Sequence, residues 1–437
     1  MLIRGGRVVD PGHVNDILNI LIKDGMIVDI KQNALDKSDD TDFIVLDASG
    51  KFVVPGLIDM HVHLRDPGQE YKETIETGSR AASFGGFTAV CCMPNTNPVN
   101  DCRQVTEYIL EKAAKAGAAR VYPVAAISKG LKGDRLCEYG ELKEAGAVAL
   151  SDDGNPVINS RLMRRALEYS TRFSLPVISH CEELSLAAGG AMNEGAVATR
   201  MGLPGIPNAA ESIMVLRDIA LSELTGVPVH IAHVSTMESV RAIRDAKKRG
   251  VPVTAETAPH YFSLTDAFVK EYNTNAKMNP PLRTEQDREA ICQGLADGTI
   301  DVIASDHAPH SLIEKAVEFD QAANGIIGLE TSLPLGLKLV DRGIIDISGL
   351  VEKMSTNPAR ILGLASGLRI GQTADITVID PDIPYRIDAG GFQSRSRNTP
   401  FDDWDVKGKA VMTLVGGKIV FRDEHFEVCD QRHRSKI

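Results

Sequence analysis

The 437-residue sequence lacks any long hydrophobic run. No window approaches the roughly 18 consecutive apolar residues of a membrane-spanning helix, and none follows Arg4 and Arg7 as in a signal peptide. A disulfide framework is also missing: the seven cysteines are an odd number without regular spacing, and Cys91 and Cys92 lie in an apolar run. We therefore expect reduced thiols in a cytoplasmic protein that neither crosses nor binds a membrane.

Basic clusters are equally scarce. Residues 247–249 form the longest one, and 59 Asp and Glu residues outnumber 48 Lys and Arg residues, for a formal net charge of −11. This balance argues against nucleic-acid binding but not against a small anionic substrate, for which one arginine suffices. The hydrophobic share of 43% is that of a globular protein.

Both ends of the chain are rich in short strand-like segments joined by tight turns. Asp24-Gly25 and Gly416-Gly417 each lie between two such segments, which is typical of two-residue hairpins. We predict one composite β domain built from residues 1–54 and 366–437; the alternative is two unrelated caps.

The middle of the chain alternates apolar segments with helical ones. Eight strand candidates are spread over residues 55–365, at 57–63, 86–93, 121–126, 147–153, 175–180, 227–233, 251–256 and 300–306. Apolar strands separated by helices indicate a parallel sheet covered on both faces, and eight of them favour an α/β fold of the (β/α)₈ TIM-barrel type. An open doubly wound sheet would need a Gly-rich phosphate loop after its first strand, and none is present.

Polar residues mark the carboxyl ends of these strands, which all open on one face of a barrel. His61 and His63 stand at i and i+2, so on a strand both point to the same side, and paired imidazoles suit zinc. The alternative is barrel-lining histidines held only by hydrogen bonds. Polar residues also end the later strands: Asn95, Asp152 or Asp153, His180, His233, Glu256 and Asp306.

Strand parity leaves some of these choices open. Asp152 and Asp153 must face opposite ways, and the register alone does not choose between them. His230 and His233 differ by an odd number, so we expect only His233 to face the site and His230 to be structural. His260 is expected to be a hydrogen-bonding loop residue, and His307 to point away from Asp306.

Several motifs resemble those of the dihydroorotase family of the amidohydrolase superfamily, in the same order along essentially the whole chain. They are residues 61–68 (HVHLRDPG), 93–98 (MPNTNP), 151–154 (SDDG), 230–235 (HIAHVS), 277–283 (KMNPPLR) and 305–310 (SDHAPH). The resemblance implies the same barrel with a composite β domain. It also implies the reversible, metal-dependent cyclisation of N-carbamoyl-L-aspartate to L-dihydroorotate, the third step of pyrimidine biosynthesis, with Asp306 as the catalytic proton carrier.

The resemblance further implies a zinc centre with one or two ions per subunit, two being favoured. His61, His63 and Asp306 would hold one ion, His180 and His233 the other, and Asp153 would bridge them. Many relatives use a carboxylated lysine as the bridge, but residues 146–160 contain no lysine, so the chain is similar to the bacterial long-chain, aspartate-bridged type. This difference leaves the occupancy of the second ion open.

Substrate contacts implied by the resemblance are Arg65, Asn95 and His310 on the carboxylate and Asn279 on the ring. A guanidinium matches a carboxylate independently of any resemblance. The alternatives are a surface Arg65 paired with Asp66 or Glu70, and turn roles for the two asparagines beside proline.

Other readings carry different expectations. A hydantoinase or allantoinase would open a similar ring, usually with a lysine bridge, and a non-catalytic partner of aspartate transcarbamoylase would lack ligands that are all present here. We expect a homodimer and leave association with aspartate transcarbamoylase open. Residues 311–328 form a long connection that is either a mobile lid or a plain structural loop.

Overall fold

A computed structural model of the chain describes residues 1–32, 44–426 and 428–430. The strands in this part of the chain are β1 (Leu2–Asp10), β2 (Val14–Lys23), β3 (Met26–Lys31), β4 (Ile44–Asp47), β5 (Phe52–Pro55), β6 (Leu57–Val62), β7 (Phe87–Cys92), β8 (Arg120–Ala125), β9 (Ala149–Ser151), β10 (Val177–Ser179), β11 (Met192–Asn193), β12 (Gly205–Ile206), β13 (Val229–Ile231), β14 (Val253–Thr257), β15 (Val302–Ile303), β16 (Ile376–Arg386), β17 (Asp405–Val415), β18 (Lys418–Arg422) and β19 (Val428–Asp430).

Helices fill most of the intervals between the barrel strands. They are α1 (Ile75–Phe84), α2 (Arg103–Ala116), α3 (Tyr139–Ala145), α4 (Ser160–Ser170), α5 (Leu184–Ala187), α6 (Ala196–Met201), α7 (Ala209–Thr225), α8 (Met237–Lys248), α9 (Pro259–Ser263), α10 (Glu285–Ala296), α11 (Leu312–Lys315), α12 (Ser332–Asp341), α13 (Ile347–Val351) and α14 (Asn357–Leu362). Among the described residues, no helix combines the length and the apolar character needed to cross a membrane.

The predicted (β/α)₈ barrel is confirmed. Each of the eight predicted segments contributes one strand to an eight-stranded parallel sheet, in which β6 to β10 and then β13, β14 and β15 lie side by side in chain order. The ring closes where Val62 pairs with His307 and the His63 N–H donates to the His307 carbonyl at 2.8 Å. Closure brings the first and last strand ends, which carry His61 and Asp306, side by side.

The composite β domain is also confirmed, and the two-cap alternative is wrong. Strands β1–β5 and β16–β19 form one nine-stranded sheet, in which β5 pairs with β16 through Val53 and Val378. Asp24 and Gly25 have positive φ angles of 50° and 79°, as a primed hairpin turn requires. The boundaries at residues 54/55 and 365/366 stay a prediction, and residues 33–43, 427 and 431–437 lie outside the described part.

Apolar side chains fill the barrel below its carboxyl-terminal face. They include Ile58, Ala89, Val124, Ile178 and Val302, all nearly or fully inaccessible to solvent. Because this layer is packed, polar side chains at the strand ends can approach one another only above it.

Candidate active site

Six of the predicted residues meet at the carboxyl-terminal mouth of the barrel, and all six are buried: His61, His63, Asp153, His180, His233 and Asp306. Asp153 lies at their centre. Its Oδ1 is 3.2 Å from His61 Nε2 and 3.5 Å from His233 Nε2, and its Oδ2 is 3.4 Å from His63 Nε2. A carboxylate with imidazoles on both sides is positioned to bridge two sites.

The remaining ligand candidates complete two groups around Asp153. Asp306 Oδ1 lies 3.2 Å from His63 Nε2 and 3.6 Å from His61 Nε2. His180 Nδ1 is 3.7 Å from Asp153 Oδ1 and 2.7 Å from His233 Nε2.

The donor set fits a metal ion. The potential ligand atoms of His61, His63 and Asp306 lie within 4.8 Å of one another, as do those of His61, Asp153 and His233. Within the described part of the chain, His61 Nε2 and Asp153 Oδ1 are buried without a hydrogen-bond partner. Buried polar atoms are rarely left unpaired, and imidazole and carboxylate are the ligands that zinc accepts.

Local geometry explains why these side chains converge. Asp152 turns away to accept hydrogen bonds from the backbone N–H (3.0 Å) and the hydroxyl of Ser128, so Asp153 is the residue that faces the mouth. Arg65, His233 and Asp306 have positive φ angles of 61°, 33° and 49°. Such conformations are unfavourable for side-chain-bearing residues and concentrate at functional sites.

Glu256 is a site residue whose role sequence reasoning missed. It is the last residue but one of β14 and is 1% exposed; its Oε1 accepts a hydrogen bond from His61 Nδ1 at 2.5 Å, and its Oε2 lies 3.3 Å from His230 Nε2. The contact fixes His61 with Nε2 turned towards Asp153. The sequence shows a carboxylate at the end of a predicted strand, but it does not show that His61 is the residue this carboxylate contacts.

Asp59 is a second missed residue, two positions before His61 in the apolar β6. Its carboxylate accepts two hydrogen bonds of 3.1 Å from the Ser305 N–H and one of 3.2 Å from the His61 N–H. Burial raises its pKa to about 7, although these hydrogen bonds act in the opposite direction. Asp59 therefore ties the two strands that bring His61 and Asp306 together.

The parity expectation for His230 is wrong. His230 pairs in register with the interior-facing Ile178, and its Nε2 reaches Glu256 inside the barrel. His233 also reaches the site, because β13 ends at Ile231 and strand alternation no longer governs the residues after it. His230 is nonetheless a supporting residue here, since it contacts Glu256 and Thr254.

The sequence also predicts positions for two further histidines. His307 points away from Asp306, as expected, and lies 3.3 Å from Glu73 Oε2. His260 lies on helix α9 rather than in a loop, and its buried Nε2 has no hydrogen-bond partner among the described residues. Burial lowers its pKa to about 4, which favours a neutral imidazole.

In the cluster, the neighbouring imidazoles outweigh the effect of burial on the pKa of Asp153 and Asp306. Burial alone would raise the pKa of Asp306, but the hydrogen bond from His63 and the charges of the facing imidazoles outweigh it and lower that pKa. The same competition holds the pKa of Asp153 well below its usual value. Both carboxylates are therefore ionised at neutral pH and available as ligands or bases.

The four predicted substrate residues surround this cluster. Arg65 is 9% exposed; its Nε donates to the Pro309 carbonyl at 3.2 Å, and its Nη2 lies 3.4 Å from His310 Nε2, unlike a surface residue paired with Asp66 or Glu70. Asn95 Oδ1 is 2.9 Å from His63 Nδ1. Asn279 Nδ2 donates to Glu182 Oε1 at 3.1 Å, and Glu182 Oε2 in turn lies 3.4 Å from His180.

The amino-acid sequence of the chain matches known dihydroorotases. A family model described as Dihydro-orotase-like matches residues 50–239. A dihydroorotase of Desulforapulum autotrophicum is 61% identical over 427 residues, covering 97% of this chain and 100% of that protein. A dihydroorotase of Syntrophus aciditrophicus is 55% identical over 426 residues, with 97% and 100% coverage.

Solved structures show the same fold. L-hydantoinase (dihydropyrimidinase) from Arthrobacter aurescens superposes with a TM-score of 0.86 at 26% identity, covering 98% of this chain and 97% of that one. Dihydropyrimidinase from Brevibacillus agri gives a TM-score of 0.82 at 24% identity, with 98% and 96% coverage. The near-full-length identity to dihydroorotases is more than twice that to these hydantoinase-type enzymes, so the chain belongs to the dihydroorotase family.

Proposed function

We propose that the chain cyclises N-carbamoyl-L-aspartate reversibly to L-dihydroorotate and water, with zinc at the six-residue cluster. Membership of the family makes it a cyclic amidohydrolase and a dihydroorotase. The observation that carries the proposal for the site is the central Asp153, with imidazoles on both sides and the buried Arg65 at the same mouth.

We assign His61, His63 and Asp306 to one ion, His180 and His233 to a second, and Asp153 as the bridge between them. Zinc held there would supply a Lewis acid for the amide carbonyl and would lower the pKa of water. Occupancy by two ions is favoured, because each group of donors has its own two imidazoles and the groups share only Asp153.

Asp306 is the proposed proton carrier. Its low pKa leaves it ionised, so in the hydrolytic direction it accepts a proton from the attacking water. It then delivers that proton to the ring nitrogen as the amide C–N bond breaks. In the cyclising direction the same carboxylate takes the proton from the nitrogen and returns it to the departing water.

Arg65, Asn95 and His310 are proposed to hold the substrate carboxylate, and Asn279 the ring. Burial lowers the pKa of Arg65 only to about 10, so its guanidinium stays charged and supplies paired donors. Burial and the charge of Arg65 lower the pKa of His310 to about 3, so its imidazole is neutral. A neutral His310 beside a charged Arg65 leaves one positive charge for one carboxylate.

Hydantoin and allantoin are the comparison substrates. Neither ring carries the carboxylate that Arg65 is proposed to bind, and the bridging position holds Asp153 rather than a lysine. Turnover of either ring above that of dihydroorotate would overturn the substrate assignment.

The test is dihydroorotate hydrolysis, followed as loss of ultraviolet absorbance, before chelation, after chelation and after zinc is restored. We expect activity to disappear with the chelator and return with zinc. Asp306→Asn, which keeps the shape of the side chain but cannot carry the proton, should stay inactive after zinc is restored. No activity in a folded, zinc-loaded wild-type sample would contradict the proposal.

We also propose a homodimer, supported by an exposed apolar stripe on α7. Ile213, Leu216 and Leu224 on this helix are 47%, 54% and 63% exposed. Sedimentation of the chain alone tests the dimer, and sedimentation with aspartate transcarbamoylase tests the association that the sequence leaves open.

A further inference from the structure

The connection between β16 and β17, residues 387–404, leaves the composite sheet and packs on the barrel mouth. The Arg395 N–H donates to Glu73 Oε1 at 3.0 Å, and the Ser394 hydroxyl donates to the other oxygen of the same carboxylate. Glu73 Oε2 also lies 3.3 Å from His307 Nε2. A segment of the second domain is therefore linked, through Glu73, to the residue that follows Asp306.

Asn398 is the most connected side chain of this segment, and it is 4% exposed. Its Oδ1 accepts from the His310 N–H at 3.1 Å, and its Nδ2 donates to the carbonyls of Ala308 and Gly325 at 3.0 and 3.1 Å. Its own carbonyl accepts from the Ile327 N–H at 3.0 Å. One residue thus joins both ends of the 308–327 segment.

The turn held in this way carries one of the proposed substrate groups, His310, and contacts another, Arg65. The Pro309 carbonyl accepts from Arg65 Nε at 3.2 Å, and His310 Nε2 lies 2.8 Å from the Asn324 carbonyl. Displacing the turn would move His310 and remove a hydrogen-bond acceptor of Arg65. Among the described residues no hydrogen bond joins Asn398 to the six-residue cluster, so the effect should be confined to substrate binding.

We propose that Asn398 is a positioning residue, through which the composite β domain sets the Arg65–His310 carboxylate pocket. The inference rests on the proposed function, because that function assigns the pocket to the carboxylate. It gives the second domain a role in substrate recognition besides its packing against the barrel.

Asn398→Asp is the sharpest variant, since it keeps the size of the side chain and the acceptor for the His310 N–H but removes both donors. Leaving buried carbonyls unpaired is costly, so we expect KM for dihydroorotate to rise about tenfold or more. The value of kcat should change less than about threefold, because the proton carrier is not contacted. Zinc content should equal that of the wild type.

Gln393→Ala is the matched control, because the Gln393 side chain is exposed and its backbone N–H alone bonds to Glu330. Hydrogen exchange of peptides from residues 308–327, measured without substrate, should accelerate in Asn398→Asp and not in Gln393→Ala. Should Asn398→Asp fail to fold, Asn398→Ala removes the same donors without adding a charge.

Unchanged KM and unchanged exchange in a folded Asn398 variant would overturn the inference. A fall in kcat with loss of zinc would also overturn it, since the effect would then be on the cluster. Failure of the proposed function is distinguishable: wild-type enzyme would not turn over dihydroorotate, whereas the exchange measurement would still report whether Asn398 holds the turn.

Discussion

The two halves of the six-residue cluster are built differently. In the half formed by His61, His63 and Asp306, each imidazole has its Nδ1 held by a neighbour, Glu256 or Asn95, and turns its Nε2 towards a carboxylate. In the half formed by His180 and His233, Nδ1 of one ring and Nε2 of the other face each other at 2.7 Å.

The difference follows from where the residues lie in the fold. His61 lies in β6 and His63 follows directly at i+2, where ring closure ties the His63 N–H to the His307 carbonyl. His180 and His233 lie beyond the ends of β10 and β13, and His233 has a positive φ. Because the ligands of the first half are held before an ion arrives, we expect that half to bind zinc more tightly.

Removing one histidine from each half gives the largest expected contrast. His61→Ala should lose zinc from both halves, since it removes a ligand of the first ion and also the imidazole whose Nε2 lies 3.2 Å from the bridging Asp153. It should reduce turnover by more than the roughly 10- to 100-fold cost of losing an outer partner. His180→Ala should keep about one zinc ion and measurable activity. Elemental analysis and kinetics check both variants.

His13→Ala is the control, because this exposed histidine lies in the turn between β1 and β2, outside the cluster. Equal zinc loss in the His61 and His180 variants would show that the halves bind as one unit and would contradict the comparison.

Replacing the carboxylates that contact the histidines should produce the same contrast in zinc affinity, with smaller effects. Glu256→Gln weakens the acceptor of His61 Nδ1 in a fully buried site and should lower zinc affinity about 10- to 100-fold. Glu182→Gln changes a half-buried carboxylate 3.4 Å from His180 and should lower zinc affinity less than about tenfold. Competition with a chromophoric chelator measures both, and a larger effect at Glu182 would reverse the assignment.

The pH dependence of zinc binding tests the same cluster without a substitution. Burial would lower the pKa of His61, but Asp153 and Glu256 outweigh it and raise that pKa well above 6.5; the pKa of His233 is raised as well. These protons must leave when zinc binds, so affinity rises with pH, about tenfold per pH unit for each proton released. Calorimetry in buffers of different ionisation enthalpy counts the protons, and binding without proton release would contradict this charge balance.

Much of the fold was predictable, because it depends on periodic patterns. The eight apolar segments, the alternation with helices and the paired hairpin turns each report a local preference, and all eight segments became barrel strands. Strand lengths were overestimated: the segment 300–306 contains only the two-residue β15, because the polar residues after it belong to the mouth.

The sequence by itself determined which chemistry could gather at the mouth. His61 and His63 share a face because side chains alternate along a strand. The polar residues at the strand ends meet because parallel strands run in a common direction. The motif resemblance added the roles of Arg65, Asn95, Asn279 and His310, which stay predictions.

Only the tertiary structure decided what holds these residues in place. It bonded Asp152 to Ser128, brought His230 and Glu256 behind His61, and placed Asn398 against a turn 88 residues earlier. Each of these contacts joins residues on different elements, or lies where strand alternation has ended. Local periodicity carries no information about such contacts, because ring closure and domain packing create them.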